Sequence, residues 1–200
     1  RFLAMQPGGC FLAEWNGTPA GTATTLVYGP ELAWIGMVLV HPDYRRRGIG
    51  RALLSHCIDW LHPRGVRCLK LDATPAGKPV YVGLGFNEEW TLNRWEHRGP
   101  HAPPPSQAGL RRWRTSDVQR IRSLDAAAFG CSRERLVAAL ARGSRCARVI
   151  ETPTGEVAAY GLLRRGAQAL YLGPVVAASA ATGLHLIQAL LASCAGKRVF

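Results

Sequence analysis

The residues best equipped for chemistry stand together in one run: Val38-Leu39-Val40-His41-Pro42-Asp43-Tyr44-Arg45-Arg46-Arg47-Gly48-Ile49-Gly50-Arg51-Ala52-Leu53-Leu54. An apolar stretch of strand length passes through a basic, glycine-containing loop into helical spacing. The first turn of a helix leaves backbone N–H groups unpaired and gathers partial positive charge, so it holds anions. Gly48 and Gly50 open the main chain to a bulky anion, and Arg45, Arg46, Arg47 and Arg51 add charge-assisted donors shaped for phosphate oxygens. The competing reading is a plain helix entry with exposed arginines. Two nucleotide-binding patterns are excluded, because no Gly-x-Gly-x-x-Gly follows the strand and no Gly-Lys-Ser/Thr triplet occurs.

The elements that must position this run are legible around it. Residues 9–15 and 21–28 are short apolar or β-branched runs separated by Asn16-Gly17, a two-residue hairpin signal. Residues 32–40 are almost unbroken in apolar character, which predicts a central strand buried on both faces. Ile49, Leu53, Leu54, Cys57, Ile58 and Leu61 repeat at helical spacing, and Pro63-Arg64-Gly65 ends that helix. Residues 66–71 read as the next strand, 75–84 as a short helix, and 89–96 as a last strand. The fold class is α/β (α+β): a mixed, mainly antiparallel central sheet flanked by helices.

A second unit follows. Residues 98–109, with Pro103, Pro104 and Pro105, read as a stiff linker between a unit over 1–97 and another over 110–200. In the latter, 111–129 and 133–141 read as helices and 146–150 with 158–163 as a hairpin across Thr154-Gly155. Residues 170–176 read as a strand leading into a helix that ends at Cys194. The chain starts at Arg1 and stops in what reads as a new strand over 197–200. Both ends are expected to be cut, with helices missing ahead of the first unit and the second unit truncated.

At this point the residues resemble a family. Arg45-x-x-Gly48-x-Gly50, placed after the central strand, is similar to the signature of GNAT acetyltransferases. Val80-Tyr81-Val82-Gly83-Leu84-Gly85-Phe86 resembles the family's later Leu-Tyr-x-x-x-Gly-Phe segment. The likeness covers residues 9–96, and a looser one extends through Leu124–Gly130 and 172–177, making the second unit a partial, degenerate GNAT-like α/β unit. The resemblance implies that the main chain of Val38, Leu39 and Val40 pairs with the pantetheine arm of acetyl-CoA. It further implies that Arg46, Arg47, Gly48, Ile49, Gly50 and Arg51, with Arg45 beside them, hold the pyrophosphate. Tyr81 matches the family tyrosine that gives a proton to the departing thiolate. Thr74 stands where the family commonly has Asn, seven residues ahead of that tyrosine, and Gly77 replaces an Ala. Pro75 and Pro79 stiffen the same segment. The function so implied is transfer of an acetyl group from acetyl-CoA, as co-substrate and without a metal, to the primary amine of a small molecule or protein.

A base for the acceptor amine is less legible. Glu14, Glu31, Asp72 and His41 lie near predicted strand ends, each with a capping or loop role as the alternative. Cys57 falls on the apolar helix face, while His56 and His62 flank exposed positions. The six cysteines are scattered without metal-ligand spacing, which predicts reduced thiols and no metal site. No apolar run reaches the length of a membrane span, so a cytoplasmic protein that does not touch membranes is expected, with a homodimer allowed for. Lys and Arg number 25 against 13 Asp and Glu, a net charge of +12. That excess favours acidic partners without naming one. Two other functions therefore stay open: an acyl-CoA-binding regulatory module without turnover, and, ranked last, a nucleic-acid-binding protein using Arg111-Arg112-Trp113-Arg114.

Overall fold

The computed structural model describes residues 2–97, 108–194 and 196–200. It divides into two compact units, Arg1–Thr91 and Leu92–Phe200. The first begins with a short helix α1 (Phe2–Met5) and a meander of three strands, β1 (Cys10–Trp15), β2 (Thr18–Val27) and β3 (Ala33–Val40). Helix α2 (Ile49–Leu61), strand β4 (Leu69–Leu71) and helix α3 (Lys78–Val82) complete it. The sheet order is β1-β2-β3-β4, with β4 parallel to β3 and the other pairs antiparallel. The Asn16-Gly17 hairpin forms as expected, both residues taking the positive φ (50° and 76°) that a tight hairpin turn requires.

The core of this unit lies between α2 and the sheet. Leu53, Leu54, Cys57 and Leu61 of the helix pack on Ala20, Ala23, Ala33 and Ile35 of β2 and β3. Three alanines on the sheet let the helix approach closely, and the residues predicted to repeat at helical spacing are those that meet the sheet. The expectation that the whole central strand is buried on both faces is corrected: Met37 and Leu39 are 52% and 56% exposed. An apolar run reports the wish to be covered, and only the first half of β3 has β4 beside it. The predicted strand over 66–71 narrows to Leu69–Leu71 and the predicted helix over 75–84 to Lys78–Val82. No strand forms over 89–96; the segment lacks regular structure, and the residues from Leu92 onward group with the second unit. There His97 exchanges backbone bonds with Val199, at 2.9 and 3.0 Å.

The second unit holds β5 (Leu110–Arg112), three helices α4 (Asp117–Arg120), α5 (Arg122–Phe129) and α6 (Glu134–Arg142), then β6 (Ser144–Glu151), β7 (Val157–Arg165), β8 (Leu170–Ala177) and α7 (Ala180–Ala192). Its sheet runs β5-β6-β7-β8, antiparallel throughout. The predicted helix over 111–129 starts later than expected, because Leu110–Arg112 form a strand against Arg148, Val149 and Ile150. Arg111 then fixes the turn into α4: its guanidinium grips the fully buried Asp117 carboxylate with bonds of 2.8 and 2.7 Å and reaches Glu151 at 2.7 Å. These partners are distant in sequence or hidden in the fold, so local periodicity could not report them. Deeper in the unit, Arg133 chelates Asp125, to which the buried Tyr160 hydroxyl also donates. Of the linker expected over 98–109, residues 98–107 lie outside the described residues, and the Gly109 carbonyl already accepts from Glu151 N–H at 2.9 Å. At the other end, Arg198 and Phe200 bond to Leu170 alongside β8, in the direction of a parallel strand.

Candidate functional site

The strand β3 is paired unequally on its two sides. Toward β2 it is bonded along its length, while β4 accompanies it only from Ala33 to Ile35. Between the pairs Thr24 with Gly36 and Thr22 with Leu39, one β2 residue faces two on β3, Met37 and Val38. That is a bulge, and Met37 takes φ 52° to make it. The Met37 carbonyl is met by the Thr22 hydroxyl at 3.0 Å. Beyond the bulge, His41 N–H donates to the Ala20 carbonyl at 2.9 Å. Backbone groups alternate sides along a strand, so Leu39 and His41 face β2, whereas Val38 and Val40 turn their N–H and C=O toward the side where β4 has ended. Of these groups, the Val40 carbonyl accepts from Arg45 Nε at 3.2 Å. The rest form a short open sheet edge, able to bond an extended ligand that carries amides.

The edge leads directly to a helix start. Pro42–Tyr44 make one tight turn, capped by His41 Nδ1, which accepts from Asp43 N–H at 3.4 Å. Helix α2 then opens at Gly48, whose φ of 80° is one that side chains rarely tolerate and whose missing side chain leaves the helix uncapped. The Ala52 N–H returns to Gly48, so the N–H groups of Ile49, Gly50 and Arg51 are those a helix leaves without an internal partner. A Cβ on Gly50 would meet only a Val40 methyl at an ordinary 3.6 Å. The fold's own packing therefore does not demand glycine there; close approach of a ligand would.

The arginines divide by task. Arg45 is tied to Val40, and Arg51 Nη2 donates weakly to the Gly83 carbonyl at 3.5 Å. Arg47 lies 5.2 Å from the Trp15 ring centre and 5.6 Å from that of Tyr44, held by cation–π attraction. Arg46, with φ 60°, has no ion pair or side-chain hydrogen bond among the described residues. Trp15 and Tyr44 are contributors that the sequence reading missed. The available signal was an aromatic residue at the Asn16-Gly17 hairpin tip, but nothing in the spacing says which loop that tip meets.

Tyr81 lies on α3, half-buried against the same core cluster as Val38 and Val40. Its ring meets Phe86 edge-on at 6.5 Å, and burial raises its phenol pKa above the ordinary value, so the proton is retained well past neutrality. Thr74 shapes the turn ahead of α3: its hydroxyl accepts from Gly77 N–H at 3.2 Å and its carbonyl accepts from Gly77 and Lys78. The Arg51 to Gly83 bond brings the end of α3 beside the first turn of α2. The β3 edge and the α2 start are continuous in the chain, and Tyr81 stands one helix away, on the α3 that this bond ties to α2.

The proposed bases fare differently. His41 is engaged in capping and is exposed beside Asp43. Glu31 sits near Arg67 (3.7 Å), at the end of β3 opposite to Val38 and Val40. Glu14 is exposed near the hairpin tip, and Asp72 directly follows the last paired residue of β4. Cys57 is fully buried, and burial pushes its thiol up to about 12, which removes it as a nucleophile at neutral pH. Among the described residues no cluster of His, Cys, Asp or Glu could hold a metal, and no helix is long and apolar enough to cross a membrane.

A bulged strand that parts from its parallel neighbour thus runs through an arginine-rich loop into an uncapped helix. Residues 1–86 match the model of the acetyltransferase (GNAT) family and residues 121–200 that of an acetyltransferase (GNAT) domain. The chain belongs to the GNAT superfamily and carries two GNAT-like units. It is 28% identical over 167 residues to an uncharacterized N-acetyltransferase of Bacillus subtilis, covering 83% of this chain and 58% of that protein. It is 46% identical over 81 residues to the ribosomal protein bS18-alanine N-acetyltransferase of Escherichia coli, covering 39% of this chain and 54% of that one. Among solved structures, an acetyltransferase-assigned protein of Pyrococcus horikoshii is similar with TM-score 0.79 and 27% identity, over 98% of this chain and 64% of that one. The chain thus spans a little more than half the length of the curated relatives it matches.

Proposed function

We propose that the first unit binds acetyl-CoA and transfers its acetyl group to a primary amine. The observation that carries this reading is the continuity of the open β3 edge with the uncapped start of α2. The first offers amide pairing to a pantetheine arm, the second offers N–H donors and arginines to a pyrophosphate. Val38 and Val40 would align the arm, while Leu39, expected from the sequence to pair with it as well, spends its main chain on Thr22 of β2; Gly48, Ile49, Gly50 and Arg51 would surround the phosphates, with Arg45, Arg46 and Arg47 adding charge. Thr74 would hold the turn that aims α3. The acceptor's neutral amine forms the new C–N bond as the C–S bond of the thioester breaks, and Tyr81 gives its proton to the departing sulfur. Asp72, which follows the last residue of β4 paired with β3, would take the proton that the amine sheds.

The acceptor class includes protein amines. One similar protein is named for an alanine of a ribosomal protein, so an alanine-ended peptide belongs in the trial beside small amines. Isothermal titration with acetyl-CoA tests the binding half of the proposal. One site per chain in the micromolar range is expected, followed by thiol release when a suitable amine is added. Absence of binding to the intact chain rejects the reading. Binding without release across peptide and small-amine panels would favour the regulatory module instead.

A further inference from the structure

The second unit places its arginines in two contrasting settings. Arg111, Arg120 and Arg133 are matched to Asp117, Glu151 and Asp125 at salt-bridge distance. Arg112, Arg145, Arg148 and Arg165, by contrast, line an open groove of about 590 Å³, and none of the groove's lining residues is acidic. Among the described residues these four have no ion pair, and the only side-chain hydrogen bond of the set runs from Arg148 to the neighbouring Ala147 carbonyl at 3.3 Å.

The register makes the arrangement costly without a ligand. Arg112 on β5 stands directly opposite Arg148 on β6, and like charges facing each other across a ladder destabilise it. The same two strands carry Arg111, next to Arg112, and Glu151, three residues beyond Arg148, so the fold supplies an acid to the neighbouring arginine and none here. A charge-rich wall of this kind is satisfied by an anion with several regularly spaced charges. Trp113 also lines the groove, but its ring turns into the core, 5.9 Å from that of the buried Tyr160, so the arginines carry the recognition.

We propose that this groove binds the sugar–phosphate backbone of single-stranded nucleic acid. A basic concave track with spaced arginines follows the phosphates of a flexible strand without reading its bases. The net charge of +12 adds a long-range field that draws a polyanion in. Every residue lining the groove belongs to the second unit, and none of those proposed for acetyl-CoA does.

Anisotropy of a labelled oligouridylate RNA, titrated with the whole chain over a series of KCl concentrations, tests the assignment. The triple variant Arg112→Ala, Arg148→Ala, Arg165→Ala should weaken binding by about tenfold or more and lower the slope of log K against log salt by about 2, roughly 0.7 per lost phosphate contact. Arg112→Lys with Arg148→Lys should keep the slope, and saturating CoA should leave RNA binding unchanged. If the triple variant does not fold, the exposed Arg165→Ala alone is read, with a slope loss of about 0.7. The proposal is overturned if the wild-type chain does not bind the RNA, or if the slope survives the substitutions. It is equally overturned if CoA displaces the RNA, which would move the contact to the first unit, or if an acidic peptide of equal charge competes as well as RNA does.

Discussion

The two units repeat one plan and diverge at one place. In each, the third strand of an antiparallel meander carries a two-against-one bulge: Met37 and Val38 on β3, Gly173 and Pro174 on β8. In each, a helix of 13 residues follows. Helix α2 begins at Gly48 with no side-chain cap and four arginines around it, so its first N–H groups and the local charge are available to a ligand. Helix α7 begins at Ser179, whose hydroxyl accepts from Thr182 N–H at 3.2 Å, and residues 177–183 include no basic residue. Pro174 also removes an N–H from the bulge. The same backbone thus serves as a candidate ligand site in one unit and as a self-satisfied support in the other. The difference lies in a cap, a proline and the placement of arginines.

The largest effect should come from reversing charge where the first unit is open. Arg46→Glu with Arg47→Glu is expected to weaken acetyl-CoA binding by ~10³-fold, about 4 kcal/mol, read by titration calorimetry. A residual full-affinity site would break the comparison by showing that the second unit binds the same ligand.

In the second unit charge is internal, and its removal should appear in stability. Arg111→Met takes the bidentate partner from the buried Asp117, leaving it Arg120 at 3.3 Å and the Arg114 N–H, and should cost about 3 kcal/mol, measured by denaturant unfolding. The pH dependence has a definite sign. Arg111 and then Arg120 hold Glu151 at about 2, below its ordinary 4.5. Burial raises Asp117, but the bonds from Arg111 and the Arg114 N–H outweigh it, so that carboxyl is lowered too. Both pKa values are depressed on folding, so this stabilisation is complete above roughly pH 4.5 and is lost as pH falls toward about 2. Hydrogen exchange should show β5 and β6 loosening across that window, and the Arg111→Met variant should lose much of the dependence.

Tyr81→Phe should lower kcat by ~10²-fold, roughly 2.7 kcal/mol, with KM for acetyl-CoA changed less than about threefold. Unchanged turnover would assign the proton to another group and remove the phenol from the first unit's inventory. The smallest effect sharpens the contrast between the helix starts: Ser179→Ala should cost about 1 kcal/mol by loss of its cap. Gly48→Ala should cost a similar ~1 kcal/mol, through backbone strain at positive φ and not through a lost bond. Thermal melts of the two variants measure both, and an unaffected melt for Ser179→Ala would mean that α7 does not depend on its cap.

The sequence was most informative where chemistry and local geometry coincide. The strand–arginine–glycine–helix order, the Asn16-Gly17 turn, the face of α2 carrying Cys57 and the β6–β7 hairpin were all legible, because each is set by residues close in the chain. The reading of 111–114 as helix failed because Arg111 answers to Glu151, forty residues on, and the reading of 89–96 as a strand failed because no first-unit strand runs beside it.

By itself, then, the sequence determined which residues could hold phosphate, where the helices and hairpins turn, and that the second helix start lacks positive charge. The tertiary structure decided that β3 bulges at Met37 and parts from β4 after Ile35, that Trp15 comes to Arg47, and that Arg112 faces Arg148. Spacing along the chain encodes local periodicity, whereas the pairing of strands and the meeting of loops are settled by long-range packing.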